Sequence, residues 1–124
     1  MSHLIAERIF QNLHTGASVA VRLFAPIPIK DSSEWSCNCE IQGIGDTISR
    51  QLIGVDSFQA LSGAIRVLCV ELQKHESKLT FLDGSPGDTG MPIVYPLPFF
   101  ESSLRLEIYD LIDKTVQKKI GAGT

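Results

Sequence analysis

The clearest polar–apolar pattern along the chain lies in residues 35–43. Trp35, Cys37, Cys39 and Ile41 alternate with Ser36, Asn38, Glu40 and Gln42. Successive side chains of a strand point to opposite faces, so this segment predicts a strand with one packed and one wet face. Residues 7–24 predict a β-hairpin. Its second arm sets Val19, Val21 and Leu23 against Ala20, Arg22 and Phe24, and His14-Thr15-Gly16 supplies the turn. Pro26 and Pro28 remove ladder donors, so residues 25–34 read as an irregular crossing or an edge. Residues 43–47 have the Gly and Asp content of a turn, and 48–54 read as a strand pairing back on 35–43.

The period then changes. Phe58, Leu61, Ile65, Leu68 and Leu72 step by 3, 4, 3 and 4, which is the core stripe of an amphipathic helix. Asp56 stands where an N-cap acceptor belongs and Gln59 follows three residues later, an Asp version of the capping box. Ala60, Gly63, Val67 and Val70 fall within about 80° of one another at 100° per residue, on the side away from that stripe. A glycine inside a helix is unfavourable by about 1 kcal/mol relative to alanine, so something is expected to approach closely there. The two candidates are a second intramolecular contact, such as one with the C-terminal helix, and a subunit or partner contact.

Residues 79–83 predict a short strand, 83–90 a loop, and 91–98, with Pro92, Pro96 and Pro98, an extended segment. Residues 101–119 predict a final helix that buries Leu104, Ile108, Leu111, Ile112 and Thr115 and carries a favourable Asp110–Lys114 pair. Leu104 to Ile108 also alternate with period two, which leaves the start of that helix open to a strand. Residues 121–124 read as a frayed tail. The expected architecture is one α+β domain over 1–124, in the order β-β-β-β-α-β-α. A mainly antiparallel sheet of about five strands would carry the long helix and the C-terminal helix on one face.

Composition narrows the function classes. At 124 residues the chain buries roughly two-thirds of its unfolded surface, enough to fold without a metal or a disulfide framework. A net charge of −3 without a basic run argues against nucleic-acid binding. Glu7 and Arg8 interrupt the only apolar start, and no segment is long enough to span a bilayer, so a cytoplasmic location and no membrane partner are expected. Three cysteines, Cys37, Cys39 and Cys69, are an odd set, expected as reduced thiols.

Cys37-x-Cys39 is the one metal-like spacing, but zinc takes four ligands and His3, His14 and His75 are unpaired in sequence. On a strand beside Trp35 and Ile41, the two thiols read as core fillers. Residues 83–90 lack the Lys-Ser/Thr ending of a phosphate loop and the ligand pattern of a calcium loop. Asp83 and Asp88 read as solvated turn carboxylates rather than an acid–base pair. No catalytic, cofactor-binding or metal-ligating residue is assigned.

Trp35-Ser-Cys37 leading to Ile41-Gln-Gly43, then Gly54-Val-Asp56-Ser-Phe-Gln59-Ala60-Leu61, then Gly90-Met-Pro92, resemble a family of small bacterial domains of unknown function. The resemblance covers residues 5–92, and the last 30 or so residues fall outside it. It implies an α+β domain of bacterial origin and carries no activity. In physical terms Trp35 is a core anchor, Gly54-x-Asp56 a strand-to-helix cap and Gly90-x-Pro92 a loop constraint.

The function expected from these features is non-enzymatic protein binding, with an immunity protein that neutralises a cognate bacterial toxin as its sharpest version. The partner-binding residues are then Glu40, Gln42 and Asp46, which stand on the wet side of the 35–43 strand and in the turn after it. Two alternatives are a small enzyme using the 83–90 loop with a histidine, and a structural or regulatory homo-oligomer, such as a homodimer, using Ala60, Gly63, Val67 and Val70.

Overall fold

The structure is a computed structural model, and it describes residues 3–92 and 102–121. It is a mixed α+β protein in the order β-β-β-β-β-α-β-α, whose antiparallel sheet has six strands. The chain divides into two compact units, Met1–Val94 and Tyr95–Thr124.

In the first unit, β1 (Leu4–Asn12) and β2 (Ser18–Phe24) form the hairpin. Gly16 takes a φ of 75° in its turn. Buried Asn12 organises that turn, because its side-chain oxygen accepts from the backbone N–H of His14 at 3.0 Å. β3 is only Ile27–Pro28, and it pairs with the start of β4 (Trp35–Gln42). The proline-bearing crossing therefore adds a short strand to the expected order. β5 (Ile48–Gly54) pairs with β4 along its whole length, and β6 (Leu79–Thr80) pairs with the end of β1. The expected 79–83 strand stops after Thr80. The N–H of Gly84 donates to the Phe81 carbonyl at 3.0 Å and closes a tight turn through Leu82 and Asp83, both at positive φ.

The helix α1 (Ser57–Gln73) packs on one face of the sheet, mainly over β4 and β5. Val19, Val21, Leu23, Cys37, Cys39 and Ile41 supply the sheet side of the core, as their alternation predicts. The helix is rotated from the expected stripe. Its buried residues are Ala60, Ala64, Leu68, Cys69 and Leu72, whereas Phe58 is 79% exposed and Leu61 and Ile65 are half-buried. The reason is close approach. A Cβ on Gly54 would lie 2.4 Å from the Ala60 backbone nitrogen, so the first turn of α1 rests directly on the end of β5. Small residues at 60 and 64 allow that seam, where the larger side chains of the expected stripe would hold the helix off.

The opening of α1 has the expected cap. Asp56 Oδ1 accepts from the Gln59 N–H at 2.8 Å. The Gln59 side chain reaches back to accept from the Val55 N–H at 2.7 Å, one residue earlier than in the usual box.

In the second unit, α2 (Ser102–Gly121) is helical through the 104–108 alternation. Lys114 pairs with Asp110 at 2.8 Å, and Lys118 and Lys119 stand in the last turn, where the helix dipole favours cations. The extended segment expected at 91–98 is described only at Met91 and Pro92, and the frayed tail expected at 121–124 lies almost wholly outside the described residues.

Candidate partner-binding face

Opposite α1, the sheet presents an outer face. Strand alternation puts Glu7 and Ile9 of β1, Arg22 and Phe24 of β2, Asn38, Glu40 and Gln42 of β4, and Ser49, Gln51 and Ile53 of β5 on that side. One face on the core and one polar is the usual state of an antiparallel sheet.

Register brings three of these residues into a row. Arg22 stands directly opposite Glu7 on one side and Glu40 on the other. Its Nε donates to Glu7 Oε2 at 2.7 Å, and its Nη1 donates to Glu40 Oε1 at 2.9 Å and Gln42 Oε1 at 2.7 Å. The hydrogen bond to Glu40, then the one to Glu7, raises the Arg22 pKa further above its already high value. Opposite charges facing each other across strands are favourable, and here one cation orders three side chains over three strands. Beside this row lies a depression of about 480 Å³, lined by Phe24, Asn38, Glu40, Ser49, Arg50 and Gln51.

Of the residues the sequence proposes for a partner, the fold brings Glu40 and Gln42 together on Arg22. Asp46 is separate. It stands exposed in the β4–β5 turn, where Gly43 and Gly45 take positive φ, and no ion pair joins it to the row. Arg22 and Glu7 were absent from the sequence-based set. The signal was available: a hairpin turn centred between His14 and Thr15 makes residues 7 and 22 opposite partners.

The proposed oligomer residues divide. Ala60 is fully buried in the seam with β5, and Gly63 packs on Leu52, whose Cγ would lie 3.6 Å from an added Cβ. Val67 is half-buried and Val70 is exposed. The four therefore do not form one exposed surface, and the small residues are explained by the helix–strand contact.

The thiols stand in the core. Cys37, Cys39 and Cys69 are free and at most 2% exposed. Burial raises all three pKa values, and Cys39, with Cys37 beside it, is pushed up to about 11. Cys37 Sγ donates to the Phe24 carbonyl at 3.1 Å. Among the described residues, no group of three or more His, Cys, Asp or Glu side chains is placed to hold a metal ion, and no helix is long and apolar enough to cross a membrane.

A family described as a domain of unknown function, DUF6968, matches residues 6–93, and the chain belongs to that family. The match covers nearly the whole first unit and stops before α2. No curated protein and no solved structure matches the chain.

Proposed function

We propose that the 6–93 domain is a non-enzymatic protein-binding module that offers the outer face of its sheet to a partner. The observation that carries this is the Glu7–Arg22–Glu40–Gln42 row beside the 480 Å³ depression. Side chains already ordered by Arg22 have less rotamer freedom to lose when a partner docks. Glu7 and Glu40 are matched by Arg22 and by Arg50, which lines the depression, and Asp46 in the next turn tips the local balance to slightly acidic, which suits a partner with a basic surface.

The narrow version is an immunity protein whose partner is a toxin domain with a basic, nucleic-acid-binding cleft. It is supported by the net charge of −3 and by the carboxylates on this face. The test uses the protein encoded beside this one, with association followed by stopped flow. Glu40→Lys is a poor probe, because it would set two cations opposite each other across β2 and β4. Glu40→Gln with Asp46→Lys removes charge and keeps a hydrogen-bonding side chain for Arg22. The double variant is expected to associate more slowly at low salt, with little change in Tm. An unchanged rate would remove this face as the contact.

Self-association is a second function, favoured by a different observation. β5 pairs only with β4 among the described residues, and Ile53, Val55 and Phe58 at its end are 49%, 70% and 79% exposed. Edge strands bordered by apolar side chains invite pairing. Sedimentation of wild type against Phe58→Ser tests it. A dimer that dissociates in the variant supports it, and a monomer at all concentrations rejects it.

A further inference from the structure

On the inner face, α1 covers β4 and β5 but makes few contacts with β2. The strip it leaves open over β1 and β2 is a cleft of about 260 Å³. Its walls are largely apolar: Ala6, Val21, Leu23, Ile65, Leu68 and Met91. Arg8 is the cation in it. The neighbouring Glu7 carboxylate is held by Arg22 on the opposite face.

Among the described residues, the surroundings of Arg8 fix the guanidinium without neutralising it. Its Cζ lies over the Phe81 ring, 4.2 Å from the ring centroid. Its Nη1 donates to the Thr89 carbonyl at 3.1 Å and contacts Met91 Sδ at 3.8 Å. Gly90 leaves room for this. A Cβ there would meet Arg8 Nη1 at 3.0 Å, and its φ is +67°. No carboxylate pairs with Arg8 among the described residues, and its Nε and Nη2 have no hydrogen-bond partner there. A half-buried guanidinium with a free donor edge in an apolar cleft is complementary to a carboxylate, which it can bind in bidentate fashion.

We propose that this cleft binds a small monocarboxylate with an apolar body, its carboxylate on Arg8 and its hydrocarbon against Val21, Leu23, Ile65 and Leu68. An apolar cavity of about 150 Å³ takes benzene, so this volume suits a ligand of roughly ten heavy atoms, the size of octanoate. All the lining residues fall within 6–93. The site is on the opposite side of the sheet from the partner face, so either can fail without the other.

The test is titration of the full chain with octanoate and, separately, with octan-1-ol, followed by amide NMR. Octanoate is expected to saturate one site, with shifts at Ala6, Arg8, Leu68 and Met91, and octanol to bind at least tenfold more weakly. Arg8→Gln is expected to weaken octanoate at least tenfold and leave octanol unchanged. Ala6 is exposed on β1, so Ala6→Leu can fill the cleft without disturbing the core, and it is expected to abolish binding of both. Absence of saturation in the wild type, equal affinity for acid and alcohol, or unaltered binding by Ala6→Leu would each overturn the proposal. If Arg8→Gln does not fold, the alcohol comparison and Ala6→Leu decide it.

Discussion

Two glycines flank the seam between β5 and α1, and replacing each with alanine should have opposite effects. At Gly54 a Cβ would stand 2.4 Å from the Ala60 nitrogen and 2.9 Å from the Gln59 carbonyl carbon and Cβ. Two of these are backbone atoms of the first helical turn, so α1 must move away from the strand. Overpacking of this kind costs about 1–3 kcal/mol. A shifted first turn also strains the Asp56 cap, worth about 1 kcal/mol. The expected loss for Gly54→Ala is therefore roughly 2–4 kcal/mol, or a fall in Tm of roughly 10–25 °C for a unit of this size. At Gly63 the nearest atom to a Cβ is Leu52 Cγ at 3.6 Å, an ordinary contact. There the helix-propensity gain dominates, and Gly63→Ala should stabilise by up to about 1 kcal/mol. Urea unfolding followed by Trp35 fluorescence reports both, because Trp35 pairs with Gly54 across β4 and β5. A Gly54→Ala protein within 0.5 kcal/mol of wild type, or a Gly63→Ala protein destabilised by more than 1 kcal/mol, would refute the close-seam account of the rotated helix.

Asp56→Ala should lower stability by about 1 kcal/mol in the same assay, while Asp56→Asn, which caps nearly as well, should stay close to wild type. Native Cys37, Cys39 and Cys69 should resist a thiol reagent until the protein unfolds, so rapid labelling at neutral pH would contradict their burial. Alkaline pH should destabilise the fold. Cys39 keeps its proton to about pH 11 when folded but loses it near pH 9.0 when unfolded, so its contribution is complete below pH 9.0 and lost as pH rises toward 11. That term is at most ~2–3 kcal/mol, and Cys39→Ala should flatten the fall in stability between about pH 9 and 11. An equally steep fall in the variant would assign the effect to other groups.

β4 was legible because from Cys37 onward one face is packed and the other wet: Cys37, Cys39 and Ile41 are buried, and Glu40 and Gln42 are not, as a period of two requires. Its start departs from the expectation, since Ser36, placed on the wet side, is buried and Trp35 is half-buried. The Asp56 cap was legible because it is local. The helix phase was not, because hydrophobicity favours Phe58 and Leu61 over Ala60 and Ala64. What decides the buried side is how closely β5 approaches, and that depends on Gly54, outside the helix. The acidic row was half legible. Alternation gave the outward direction of Glu40 and Gln42, but their pairing with Arg22 and Glu7 depends on hairpin register and on β2 lying between β1 and β4. The Arg8 cleft could not be read at all. It joins β1 to residues more than eighty positions away, and no local pattern encodes that contact.

The outer face of the sheet is the proposed protein-docking surface. The most direct measurement is the association rate with the protein encoded beside this one, across a range of salt, for wild type and for Glu40→Gln/Asp46→Lys. The expected result is a wild-type rate that falls steeply with added salt, and a double variant that is slower at low salt and less salt-dependent. Identical rates and identical salt slopes for the two proteins would contradict it.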